Sequence, residues 1–109
     1  MRMMLHVVIP VKTGNAAARS GQLGTFIQKA LGDLKPEAAF FTEDQGTRSG
    51  YIFFDMKDQS QLPAIAEPWF LAFNATLTVK PAMTPHELAG PAGAAIESAA
   101  KAYPKTFGS

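Results

Sequence analysis

Gly50-Tyr51-Ile52-Phe53-Phe54-Asp55-Met56 is the stretch that decides the fold. It is aromatic and apolar on both of its alternating faces, the pattern of a central strand covered on each side. Immediately upstream, Asp44-Gln45-Gly46-Thr47 is turn-forming, and Ala38-Ala39-Phe40-Phe41-Thr42-Glu43 ahead of it opens another strand. The two therefore form an antiparallel pair joined by a short turn. Further back, Met1-Arg2-Met3-Met4-Leu5-His6-Val7-Val8-Ile9-Pro10-Val11 places a charge before an apolar run, as a signal peptide does. The run is short, His6 interrupts it, Pro10 closes it and Lys12 follows, so it reads as a buried strand. Between these strands Thr13-Gly14-Asn15 offers loop and N-cap residues. Leu23, Phe26, Ile27, Ala30, Leu31 and Leu34 then fall on one helical face, with Gly32 and Pro36 as the stop. Gly21 and Gly24 weaken the start of that helix: either it begins irregularly or another backbone approaches it closely.

Downstream of the central strand, Asp58 or Ser60 caps a second helix, with Pro63 in its first turn and Leu62, Ile65 and Ala66 on its inner face. Pro68 is expected to end or kink it, so that Trp69, Phe70 and Phe73 lead into a fourth strand over Ala75–Lys80. That strand alternates: Ala75, Leu77 and Val79 face the helices, while Thr76, Thr78 and Lys80 form a polar second face. Thr84-Pro85-His86-Glu87 is a capping box with proline at the first helical position. It starts a terminal helix that Gly90-Pro91 breaks early, and Ala92, Ala95, Ile96, Ala99 and Tyr103 then form a thin apolar stripe.

The order βαββαβ with both helices on one sheet face predicts a ferredoxin-like α+β sandwich over residues 1–83, with 84–109 as its C-terminal helical extension. The other sheet face would expose His6, Val8, Tyr51 and Phe53, a larger patch than soluble monomers usually carry. A second copy is expected to cover it, making a homodimer through the sheet face.

Composition agrees with a single small domain. The chain has 109 residues, 47% of them hydrophobic and 17% charged. A chain of this length buries roughly two-thirds of its unfolded surface, which leaves room for a partner to add stability. Ten Lys and Arg against nine Asp and Glu, scattered, leave no basic footprint, so no nucleic acid is expected as partner. No segment reaches the ~18 apolar residues of a membrane span, so no membrane partner is expected either. Without cysteine there is no disulfide framework, thiolate metal site or cysteine nucleophile, which fits a cytoplasmic protein.

The run Gly50–Asp55, the helix with Leu62, then Pro68-Trp69-Phe70, Val79-Lys80-Pro81 and Leu88 resemble the second half of the dimeric α/β-barrel superfamily, and the first βα unit fits as well. Small bacterial members are the nearest likeness, and the muconolactone isomerases a more distant one. The resemblance implies two four-stranded sheets paired face to face into a barrel, with any pocket for a small organic ligand between a sheet and its neighbouring elements. It also implies a choice among cofactor-independent isomerases, cofactor-independent monooxygenases, haem proteins and members without activity. These motifs are structural and speak to fold more than to chemistry.

His6 is one of two histidines and lies inside an apolar strand, where a neutral imidazole can serve as a base beside a pocket; the plainer reading is a hydrogen-bonded core or interface histidine. His86, at a helix start, reads as solvent-exposed. Glu43, Asp44, Arg48 and Asp55 flank the hairpin and central strand and could converge on an anionic or hydroxylated compound; Asp55 alternatively ties down turn N–H groups, and Arg48 alternatively makes a salt bridge. Tyr51, Phe53 and Trp69, with Thr78 on the fourth strand, could line a pocket or build core and dimer seam. There is no Ser-His-Asp order, phosphate loop, dinucleotide fingerprint or metal motif, so no cofactor and no metal are expected. The resulting expectation is a homodimer that binds a small aromatic or carboxylate-bearing molecule. If it is an enzyme, His6 moves a proton, Arg48 holds an anionic group and Tyr51 donates to a developing oxyanion, with Trp69, Phe53, Asp55 and Thr78 around the ligand. The alternatives are a non-catalytic interaction protein and a cofactor-independent monooxygenase.

Overall fold

The computed structural model describes residues 1–108. Its elements are β1 (Arg2–Val8), α1 (Val11–Arg19), α2 (Gln22–Leu34), β2 (Ala38–Asp44), β3 (Thr47–Asp55), a 3-10 turn (Gln59–Gln61), α3 (Leu62–Phe73), β4 (Thr76–Pro81), a single helical turn α4 (Pro85–Glu87), a π-turn (Leu88–Ala92) and α5 (Gly93–Ala102). The four strands form one antiparallel sheet in the order β2-β3-β1-β4, so the protein is a small α+β fold with the two most apolar strands in the middle.

Strand alternation sorts the side chains into two layers. Met3, Leu5 and Val7 of β1, Ile52 and Phe54 of β3, and Leu77 and Val79 of β4 face the helices. There they meet Leu23, Phe26 and Ile27 of α2 and Trp69 and Phe73 of α3. Phe26 wedges between Trp69 and Phe73, edge-on to both rings at 5.0 and 4.8 Å. Leu5 and Ile52 at the centre are fully buried. The β2–β3 turn is a two-residue connection with positive φ at both Gln45 (52°) and Gly46 (81°), matching the twist of the strands it joins.

Several local expectations are corrected. The single helix after β1 is two: Thr13, Gly14 and Asn15 lie inside α1, and Gly21 at φ 76° breaks the chain before α2. No atom lies within 4 Å of the Cβ position of Gly21 or Gly24, so neither admits another backbone; the irregular start is at Gly21, and Gly24 is helical. Gly32 stays helical; the stop is Lys35 in the left-handed region, followed by Pro36. Pro68 does not end α3, which continues to Phe73. The missing N–H costs one hydrogen bond to the preceding turn, but Ala66, Trp69 and Phe73 on the inner face are all buried, and that burial outweighs the local defect.

From Thr84 onward the chain leaves the sheet. The capping box forms as expected, Thr84 and Glu87 exchanging side-chain-to-backbone hydrogen bonds of 2.9 and 3.1 Å. Gly90 is non-helical (φ −89°, ψ −109°), and residues 94–108 are all exposed. The molecule is accordingly elongated, 57 × 33 × 23 Å, with a radius of gyration of 18.1 Å. A compact chain of 100 residues has about 13 Å.

Candidate functional site

β1 and β3 pair so that His6 stands directly opposite Tyr51, and β4 places Thr78 on the other side of His6. All three lie on the sheet face that carries no helix. The His6 and Tyr51 rings stack, centroids 4.3 Å apart and planes 4° from parallel. Two positions along β3 from Tyr51, on the same face, Ser49 is buried, and its Oγ lies 2.8 Å from His6 Nε2. Asp44, near the end of β2, brings Oδ2 to 3.7 Å from the same nitrogen. Serine, histidine and aspartate thus meet, but both partners address one ring nitrogen. A relay needs the carboxylate on Nδ1 and the hydroxyl on Nε2, so this is a held imidazole and not a nucleophile triad.

Phe53 lies on the same face beside Met4, and Phe40 beside Tyr51, extending the aromatic surface toward the β2 edge. Asp55 ends this face, but its carboxylate is spent on the N-terminal ammonium at 2.6 Å, which holds its pKa below the ordinary carboxylate value. It ties the start of β1 to the end of β3, and turn N–H groups are not what it binds.

Arg48 and Trp69 do not join this cluster. Residues 48, 50, 52 and 54 of β3 alternate with 49, 51, 53 and 55, so Arg48 sits on the helix side and Tyr51 on the open side. The expected convergence of His6, Arg48 and Tyr51 on one ligand is therefore corrected within a single chain. Arg48 reaches α1, where Nη1 donates to Asn15 Oδ1 at 3.0 Å and packs so closely on Gly14 that a Cβ there would stand 2.8 Å from it. Trp69 is buried. The two meet at a cavity of about 170 Å3 between sheet and α2, lined also by Ile9, Leu23, Ile27, Phe41 and Gly50. Glu43 and Asp44 part in the same way: Glu43 accepts from the turn N–H of Gly46 at 2.6 Å, while Asp44 points to His6.

A second, wider groove of about 530 Å3 runs between α2 and α3, lined by Phe26, Lys29, Asp33, Asp55, Ile65 and Pro68. Its charges are already paired, Lys29 with Asp33 at 3.2 Å and Asp55 with the N-terminus. Among the described residues no group of three or more His, Asp or Glu side chains could hold a metal ion, and no helix is long and apolar enough to cross a membrane.

The sequence reading missed Ser49 and the pairing of Asp44 with His6. Position parity was the available signal for Ser49, which shares the Tyr51 face two residues away. The contact itself depends on the β1–β3 register.

No family model matches the chain, and no curated protein matches it. Among solved structures it is similar to a formyltetrahydrofolate deformylase from Pseudomonas putida KT2440, at 14% identity and a TM-score of 0.48 over 75% of this chain. The match spans 29% of that enzyme's length, and a likeness at this level carries no argument about activity.

Proposed function

We propose that the protein is a small-molecule-binding homodimer of ferredoxin-like subunits, paired through the open sheet face into a dimeric α/β barrel of the kind to which the muconolactone isomerases belong. The observation that carries this reading is an apolar sheet face left without cover by its own chain. Met4, Val8, Tyr51 and Phe53 are only half-buried there, and Phe40 is 64% exposed. The order β1-α1-α2-β2-β3-α3-β4, a β-α-β-β-α-β pattern whose first helical connection is split in two, and the helices gathered on one face support the subunit fold. The outstretched segment after Thr84, with Leu88, Ile96, Tyr103 and Phe107 exposed, supplies further apolar surface that a partner subunit would cover.

In such a dimer His6, Ser49, Tyr51 and Thr78 lie inside the barrel. A cofactor-free, isomerase-like activity on a small aromatic or carboxylate-bearing compound would use His6 to move a proton and Tyr51 to donate a hydrogen bond. A second reading is favoured by one contact: His6 Nε2 already has Ser49 as a close partner, as a histidine that only builds the dimer seam would.

Light scattering on the purified chain tests the assembly. A mass of about twice 11.7 kDa is expected, and Phe40→Asp, on an edge strand where the lone subunit leaves the ring in water, should give a folded monomer. A wild-type monomer at high micromolar concentration, or a Phe40→Asp protein that stays dimeric, overturns it. His6→Ala separates the two readings: lost ligand binding with the dimer intact supports a site, and lost dimerisation alone supports the seam.

A further inference from the structure

We infer that the outer edge of β2 is a pairing site for the same edge of a second copy, the two strands running antiparallel with Phe41 opposite Phe41. The contact lies beside the sheet and not on its open face. It therefore goes beyond the face-to-face pairing above, and the two can fail separately.

The first argument is that β2 lacks what shields an edge. The sheet order leaves β2 and β4 with one neighbour each, so both present a row of backbone N–H and C=O groups outward. β4 carries the usual protection: it is six residues long and ends in Lys80-Pro81, a charge that is exposed and a residue without an N–H. β2 has seven residues with no lysine, arginine or proline, and it runs in register with β3 from Ala38 to Asp44 without a bulge. Its two charges are turned back into its own chain. Glu43 accepts from the Gly46 N–H at 2.6 Å, and Asp44 Oδ2 lies 3.7 Å from His6 Nε2.

The second argument is the two phenylalanines. Phe40 stands opposite Tyr51 and Phe41 opposite Gly50, so the rings lie on opposite sides of the sheet, 64% and 47% exposed. A subunit seated on the open face covers Phe40 and leaves Phe41 in water, whereas a strand added at the edge flanks both. The Phe41 ring leans inward over Gly50, where a Cβ would stand 2.8 Å from it, and so away from the outer backbone.

The third argument is register, and it commits the edge to a second copy. Centring on Phe41 is the one antiparallel alignment of two β2 strands that pairs all seven residues. That alignment sets Glu43 opposite Ala39 and Asp44 opposite Ala38, so each carboxylate meets a methyl group and like charges never stand opposite each other. Phe40 falls opposite Thr42, with the two Phe40 rings on the diagonal, within reach of each other.

A seven-residue edge is a small contact beside a whole sheet face, so it is read by trapping and not by mass. The chain has no cysteine, and one introduced cysteine can form a disulfide only with another copy. Directly opposite residues of an antiparallel pair have Cα atoms about 4.5–5.5 Å apart, within disulfide reach. Two copies of residue 43 would be separated by about 13 Å along the strand, beyond it. Phe41 and Glu43 are both exposed and lie on the same side of the sheet. With oxidised glutathione as oxidant, Phe41→Cys should link on a non-reducing gel at least about tenfold faster than Glu43→Cys, a difference that denaturant abolishes. Adding Phe53→Asp, which charges the open face, should leave the Phe41→Cys rate within about threefold, with circular dichroism confirming that each variant folds. Hydrogen exchange on the wild type needs no variant: amides of residues 38–44 should slow as the protein is concentrated, and those of β4 should not. Equal linking at 41 and 43, linking lost in folded Phe53→Asp protein, or β2 amides indifferent to concentration overturns the inference and leaves the edge to an extended segment of another protein. Linking at 41 in a chain whose mass is insensitive to Phe53→Asp leaves the edge contact standing and overturns the face pairing instead.

Discussion

The two faces of β3 are built from interleaved residues of one nine-residue strand, yet they end in different conditions. Toward the helices, Ile52 and Phe54 are 0% and 1% exposed. Toward the open side, the equally bulky Tyr51 and Phe53 stay half-buried. Burial in this protein therefore follows from what the chain lays over each face and not from residue type. The helix layer completes one core from within; the chain lays no helix over the other face. If a second copy covers that face as proposed, stability drawn from it depends on concentration, and stability drawn from the helix-side core does not.

The largest effect should come from testing that asymmetry directly. Phe54→Ala removes a ring with 1% exposure from the centre of the core and should cost about 3–5 kcal/mol in denaturant unfolding at any protein concentration. Phe53→Ala, one position along, should cost little in dilute solution and progressively more as the protein is concentrated. Equal, concentration-independent losses at the two positions would break the comparison and leave the open face as ordinary surface.

A smaller effect is expected at the polar centre of the open face. Ser49 is 4% exposed, and its hydroxyl has His6 as partner. His6→Ala leaves that hydroxyl without an acceptor or donor beside it and should cost about 1–3 kcal/mol, whereas the double change with Ser49→Ala should recover part of the loss. Additive losses in this cycle would mean that the contact contributes nothing to the fold.

Most of this two-faced arrangement was legible in the sequence, because alternation in β1, β3 and β4 needs no tertiary information. The same alternation places Arg48 and Tyr51, three positions apart, on opposite faces, and reading them as one site ignored it. Other features were not available locally. Pro68 is a helix breaker by its own chemistry and is overridden by the burial of Trp69 and Phe73 on the far side of the helix. The meeting of Ser49, Asp44 and His6 requires the register of three strands, which hydrophobic pattern alone does not set to the residue.

The smallest effect concerns the joint between the sheet and the outstretched C-terminal segment. Glu87 is held below the usual carboxylate pKa first by the backbone N–H of Thr84, then by the Thr84 side chain, with Arg2 adding a favourable charge. Arg2 in turn leans on Glu37, which keeps its guanidinium in reach of both acids. Because the folded pKa is lowered, whatever Glu87 contributes is complete above the ordinary value of 4.5 and is lost as the pH falls through the folded pKa. Glu87→Gln keeps an oxygen that can accept from Thr84 and removes only the charge, so the capping box survives. Thermal unfolding should then show the wild type slightly above the variant at neutral pH and the two curves meeting in acid, with added salt narrowing the gap at neutral pH because the pair is exposed. A gap that persists in acid would show that Glu87 holds this joint by its shape and hydrogen bonds alone, and that the link from Arg2 to the segment beyond β4 is not electrostatic.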